Sequence, residues 1–247
     1  LGPSGREVLA CQHTVQGNVT VTVPASSRFY THKILEHGLD RTAGLQRTTV
    51  EKYRSLAGPT DIYGLAVDIG TTTVVAKLID LANGECVATR AMLNPQTRFG
   101  DDVVSRISYA ESQAGLERLH AIIVDGINEL IRGLCEAVRI DPNAIYEASV
   151  VGNTTMNHIF LGFPVAQLGQ APYQAHSTNA HDVSPGSLGL TMNPAGNVHT
   201  AENIAGFVGA DTTAVALAVD IGSATQMTLV VDIGTNGELV LGMGERL

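Results

Sequence analysis

Two short segments carry the chemistry available to this chain. Leu65-Ala-Val-Asp-Ile-Gly-Thr71 and Leu229-Val-Val-Asp-Ile-Gly-Thr235 differ at one position and lie 164 residues apart. In each, an apolar run ends in Asp-Ile-Gly-Thr and a second apolar run follows. The glycine lets the backbone turn so that successive N–H groups face one concavity, and the threonine hydroxyls add donors, which makes an anion nest suited to phosphate. A carboxylate at the mouth of such a nest repels phosphate unless a cation lies between them. Asp68 and Asp232 are therefore expected to hold a phosphate-bound Mg²⁺, directly or through water. Gly70, Thr71, Thr72 and Thr73 on one side, with Gly234, Thr235 and Asn236 on the other, are expected to grip one nucleotide triphosphate. A single Asp-x-Gly reads most simply as a tight turn, and it is the matched pair that favours a phosphate site. Ala218-Val-Asp-Ile-Gly222 imitates a third copy, but a helical run precedes it and no strand follows closely, so Asp220 is read as a decoy.

The elements that must position these loops follow from periodicity. Residues 65–69, 74–80 and 86–93 read as strands, with Asn83-Gly84 as a tight hairpin turn in which both central residues take positive φ. Apolar residues then recur at helical spacing over 103–110 and 116–138, and Asp141-Pro142 closes the second helix. Residues 148–151 return to strand, 152–156 read as a polar loop, and 163–200 show no period. Helical character resumes over 201–219. Asn153, Thr154 and Thr155 follow a strand and read as a cap for the next helix. Asp101, Asp102 and Arg106 offer a contact for a partner or, more simply, a solvated charged face. His176, His181 and His199 lack ligand spacing and are assigned no metal. The separation of the repeats indicates two similar halves of one duplicated fold rather than a solenoid.

Composition narrows the function classes. The 247 residues carry a net charge of −9 with no basic block, so nucleic acid is not an expected partner. No apolar run is long enough to span a bilayer and residues 1–20 lack the pattern of a signal peptide, which gives no expected membrane partner and a cytoplasmic address as the expectation. Cys11, Cys86 and Cys135 lie far apart, fitting reduced thiols. No Gly-Lys dipeptide occurs, which excludes a P-loop, and each Gly loop leads into a strand, which excludes a Rossmann fingerprint. The chain opens on Leu1 and stops soon after the second loop, so it reads as an internal piece of a longer protein.

At the two loops the sequence resembles the superfamily of acetate and sugar kinases, Hsp70 and actin. More closely it is similar to the ATP-dependent reductive activators of corrinoid proteins, ferredoxins with an ASKHA domain. The segments that carry the closer likeness are Asn94-Pro-Gln-Thr-Arg-Phe-Gly-Asp-Asp-Val-Val-Ser-Arg-Ile107, Val151-Gly-Asn-Thr-Thr-Met156 and Asn203-Ile-Ala-Gly-Phe-Val-Gly-Ala-Asp-Thr212, beside the two loops themselves. The resemblance implies an α/β, ribonuclease-H-like lobe with a mixed sheet and a truncated second lobe, and it puts Asn153, Thr154 and Thr155 where the superfamily connects its halves, which implies an approach to the γ-phosphate or its attacking water. It implies three segments: 1–23 as the end of a ferredoxin-like region, 24–63 as a linker and 64–247 as the ASKHA ATPase domain. A middle domain that the family was expected to place before the first loop reads as deleted or shortened.

The implied activity is reduction of a Co(II) corrinoid to Co(I), coupled to ATP binding and hydrolysis, with electrons from a 2Fe–2S cluster and a corrinoid protein or corrinoid-dependent methyltransferase as partner. Val8-Leu-Ala-Cys-Gln12 resembles the segment holding the last ligand of a plant-type cluster, which makes Cys11 the implied ligand; a small cysteine buried in a strand accounts for the local sequence equally well. Alternatives of other classes are a small-molecule kinase of the same superfamily and an inactive fragment. The chain by itself is expected to bind ATP no better than high micromolar, about −5 kcal/mol, and to hold no cluster.

Overall fold

The central strand β1 (Tyr63–Ile69) is buried at Leu65, Val67 and Ile69, whereas Ala66 and Asp68 alternate with them onto an open face. That pattern arises because β1 is hydrogen-bonded on both edges and covered on one face only. In a computed structural model that describes residues 17, 20, 51–53 and 61–244, β1 pairs antiparallel with β2 (Thr73–Asp80) and parallel with β4 (Ile145–Gly152). β3 (Cys86–Leu93) adds antiparallel to β2. On the far side β6 (Asn197–Thr200) runs parallel to β4, and β5 (His181–Val183) runs antiparallel to β6, giving the sheet order β3-β2-β1-β4-β6-β5. This six-stranded mixed sheet with its helices is the α/β, ribonuclease-H-like lobe that the resemblance implied.

Two helices, α1 (Val103–Tyr109) and α2 (Gln113–Val138), connect β3 to β4. Leu116, Leu119, Ile123, Ile127, Leu130, Ile131 and Leu134 form one apolar stripe of α2 and join the same core as Val67, Ile69, Val74 and Val150. Full burial of each such side chain stabilises by about 2 kcal/mol. Ser112 caps the N-terminus of α2 by accepting from the Gly115 amide, and Arg139, in the left-handed region at φ 64°, ends it. After β4 comes α3 (Thr154–Leu161), then the single turn α4 (Pro185–Leu188), then α5 (Ala210–Ala218), which packs against β4. The last described elements, β7 (Thr228–Ile233) and β8 (Gly237–Gly242), form a separate two-stranded antiparallel sheet.

Three local expectations need correction. The β2–β3 connection is not a two-residue turn: only Gly84 takes positive φ, and the loop is closed by the Asp80 amide donating to the Glu85 carbonyl and by the Asp80 and Asn83 carboxamide or carboxylate oxygens accepting from Ala82 and Glu85 amides. Residues 152–156 are not a loop, because Asn153 caps a helix that starts at Thr154. Helix covers only Ala210–Ala218 of the 201–219 stretch, since Gly206 and Gly209 lie against backbone where a helical turn has no room. Residues 1–23, with Cys11, and most of the expected linker lie outside the described residues.

Candidate functional site

Both Asp-Ile-Gly-Thr copies form strand–loop–strand units, and the structure brings them face to face. The Thr72 and Thr235 hydroxyls are 3.0 Å apart and share a hydrogen bond across the gap. In the first loop glycine is required by space: a Cβ at Gly70 would sit 2.7 Å from the Thr73 carbonyl oxygen. In the second loop the nearest atom to a Cβ at Gly234 is the Asn236 carbonyl oxygen at 3.5 Å. The fold itself therefore tolerates a small side chain at Gly234, and any stricter demand for glycine there must come from a bound group. Gly234, Thr235 and Asn236 are all exposed at the tip of the β7–β8 hairpin.

Asp68 ends the open face of β1. It is exposed at its surface, yet burial by the surrounding protein raises its pKa from 3.8 to about 6, with the Asp211 and Asp232 charges adding to the rise. Burial also raises Asp211, Asp232 adds to this, and a hydrogen bond from the Thr212 amide opposes it. Glu238, directly across from Asp232 in the β7–β8 register, is raised by burial and then by Asp211 and Asp232. The Asp211 and Asp232 charges thus act on both Asp68 and Glu238, gathering carboxylates from β1, α5, β7 and β8 into one negative region. Among the described residues no three His, Cys, Asp or Glu side chains approach closely enough to hold a bare metal ion. An all-oxygen, widely spaced donor set fits Mg²⁺, which keeps several waters and takes one or two carboxylates plus phosphate oxygens.

The sign of the pH effect follows. A carboxyl whose pKa is higher in the folded state contributes stability below the unfolded value near 3.8, and this is lost as pH rises through about 6. At neutral pH the cleft carries repulsion that a divalent cation relieves. Millimolar Mg²⁺ is expected to raise the melting temperature at pH 7.5 by a few degrees and by much less at pH 5, as read by differential scanning fluorimetry; an equal shift at both pH values would remove Asp68 from the effect.

The remaining expected residues are placed as follows. The Asn153 side-chain oxygen accepts from the Met156 amide as the cap of α3, and its Nδ2 donates to the Thr71 hydroxyl at 3.1 Å. Its side chain serves the helix and the first loop rather than reaching into the cleft. Thr154 is fully buried and its hydroxyl donates to the Ala205 carbonyl at 2.6 Å, so it fastens the 203–209 segment. Thr73 is half-buried at the start of β2, and its carbonyl is what crowds Gly70. Asp220 sits at φ 53° in the turn after α5, where its carboxylate accepts from Ser223. The expected solvated face of Asp101, Asp102 and Arg106 holds for the first two only: Asp102 caps α1, but Arg106 is 0% exposed. His181 and His199 lie on β5 and β6, His199 beside the Asp182 carboxylate at 3.0 Å.

Sequence reasoning missed Asp211 and Glu238. Asp211 lies in the first turn of α5, shortly after Gly206 and Gly209, and that glycine-led start of a helix was the available signal. Glu238 lies six residues past Asp232, directly across from it on the same face of a hairpin whose turn is Gly234-Thr235-Asn236.

Comparison with known proteins gives a consistent set. Residues 63–224 match the family model described as the RACo middle region. The chain is 41% identical over 182 residues to the corrinoid activation enzyme RamQ of Eubacterium limosum, covering 73% of this chain and 30% of that protein. It is 24% identical over 197 residues to the Co(II) methylated amine-specific corrinoid protein reductase of Methanosarcina barkeri, covering 75% of this chain and 35% of the other. A solved reductive activator for corrinoid, iron-sulfur protein superposes with a TM-score of 0.73 at 41% identity, over 75% of this chain and 30% of that one. The chain thus spans about a third of the length of these relatives.

Proposed function

The chain belongs to the RACo middle-region family, and on that premise we propose that it supplies the Mg²⁺-nucleotide cleft of an ATP-dependent reductive activator of a corrinoid protein. The observation that carries the reading is the meeting of the two matched loops, Thr72 against Thr235, above carboxylates that repel one another without a cation. The names of the relatives support the corrinoid partner.

In this reading the Thr71 and Thr72 amides and the Thr72 and Thr235 hydroxyls bind phosphate oxygens from opposite sides. Asp68 and Asp232 would hold a Mg²⁺ ion, directly or through water, and the Asp211 charge acts on both of them. Bound Mg²⁺ supplies neutralisation of phosphate charge. The second loop rides on a hairpin, so a triphosphate that engages both loops favours the closed arrangement over the open one. That difference in binding is what can shift affinity for a partner protein, and hydrolysis to ADP and phosphate releases it. A 2Fe–2S cluster, for which Cys11 would be the last ligand, would supply the electron that takes Co(II) to Co(I). Residues 1–23 belong to the cluster region, 24–63 to a linker and 64–247 to the ATPase domain, with a cytoplasmic address.

The test is ATP hydrolysis by the protein that carries this chain, with and without a Co(II) corrinoid protein. Stimulation by the Co(II) form is expected. Corrinoid reduction at full rate without ATP would contradict the reading.

A further inference from the structure

Arg106 is the largest fully buried side chain among the described residues, and no carboxylate lies within ion-pair distance of it. Asp101 and Asp102 act on it only at longer range. Its Nε donates to the Gly100 carbonyl at 3.0 Å, one terminal nitrogen lies 3.4 Å from the Gln96 side-chain oxygen and 3.1 Å from Met156 Sδ, and the other donates to the carbonyl of Thr71 in the first loop. Burial lowers its pKa only to about 10, so it is charged at neutral pH. A buried cation without a counter-charge is costly, and natural cores keep one only where something offsets it.

The residues around it share one task. Asn94 is 0% exposed; its Nδ2 donates to the Gly70 carbonyl at 2.8 Å and its backbone amide to the Thr72 carbonyl at 2.8 Å. Its side-chain oxygen accepts from the Gln96 amide, which fixes the rotamer. Gln96, also 0% exposed, donates to the Leu119 carbonyl at 3.0 Å and so ties the group to α2. The carbonyls of Gly70, Thr71 and Thr72 are each drawn into the protein. These peptides are trans, so drawing the Gly70 and Thr71 carbonyls inward turns the Thr71 and Thr72 amides outward. Neither amide has an acceptor among the described residues. A carbonyl that accepts from a cation also polarises its own peptide and strengthens the N–H on the opposite side.

We infer that Asn94, Gln96 and Arg106 are a carbonyl clamp behind the first loop, and that Arg106 is a positioning residue for anion binding that presents and polarises the Thr72 amide while placing an unpaired positive charge beneath the site. The inference rests on the phosphate reading of the loops and deepens it: the Asn94–Ile107 stretch serves the anion site rather than a partner surface. Asn153, which donates to the Thr71 hydroxyl, completes the hold from α3.

The test compares the protein with Arg106→Met and Arg106→Lys, using calorimetric titration with inorganic pyrophosphate and with Mg·ATP, alongside thermal unfolding. Methionine matches the stem and removes the charge, so stability is expected to hold or rise while pyrophosphate and Mg·ATP affinity fall at least tenfold. Lysine keeps the charge without the fork and is expected to recover part of the loss, to within about threefold of the parent. Parent-like affinity in a folded Arg106→Met protein would overturn the clamp and leave the phosphate reading standing. No binding of either anion by the parent would overturn both. If Arg106→Met does not fold, amide NMR of the parent decides: the Thr71 and Thr72 N–H resonances are expected to move downfield most on adding pyrophosphate, and unmoved resonances at saturation would overturn the inference.

Discussion

Asp68→Asn is expected to weaken Mg²⁺-dependent ATP binding at least tenfold, about 1.4 kcal/mol, while making the ion-free protein more stable at pH 7.5. The two effects have one cause. Asp68 is held against Asp211 and Asp232 in a cleft that raises its pKa to about 6, so its charge is unfavourable until a cation arrives. The amide keeps the shape and removes the charge. Because the carboxylate also meets solvent, the gain in stability is limited to about 1 kcal/mol. Calorimetric titration with ATP, with and without Mg²⁺, reads the first effect and denaturant unfolding reads the second. Equal Mg²⁺ dependence in both proteins would remove Asp68 from the ion site.

Gly209→Ala should be strongly damaging. A Cβ there would lie against the Gly152 carbonyl and 2.5 Å from the Asn153 Cα, both backbone at the junction of β4 and α3. Neither can move far, because Gly152 is in register with Ile69 of β1 and Asn153 caps α3. Overpacking against backbone costs about 3 kcal/mol, and α5 must tilt away, taking Asp211 with it. The urea midpoint is expected to fall with the slope unchanged, and the Mg²⁺-induced rise in melting temperature to shrink. A midpoint within error of the parent would show that the β4–α5 contact is looser than described.

What the sequence made legible was what repeats or has a period. The Leu65–Thr71 segment recurs at Leu229–Thr235, and both copies fold as strand, loop and strand. Helix α2 is long enough for its apolar spacing to declare itself. β5 and β6, of three and four residues, are too short for alternation to show, although β6 extends the parallel part of the sheet. Asn83-Gly84 misled because side-chain hydrogen bonds from Asp80 and Asn83 stabilise a longer loop in which Gly84 alone takes positive φ. Arg106 was misread because Asp101 and Asp102 precede it. It lies three residues after Val103 and four before Ala110, on the stripe of α1 that faces the core, and that spacing was the signal to follow. Asp211 joins the site only through tertiary packing of α5 on β4, which no local pattern announces.

The central claim is that one Mg²⁺-bound nucleotide is held between the two loops. Amide hydrogen exchange measured with ATP, with Mg²⁺ and with both tests it most directly, followed at residues 70–73 and 234–236. The account predicts that both segments slow together, that they do so only when ATP and Mg²⁺ are present, and that the protection weakens as the pH falls below about 6. Protection of one loop alone, or equal protection by ATP without Mg²⁺, would contradict it.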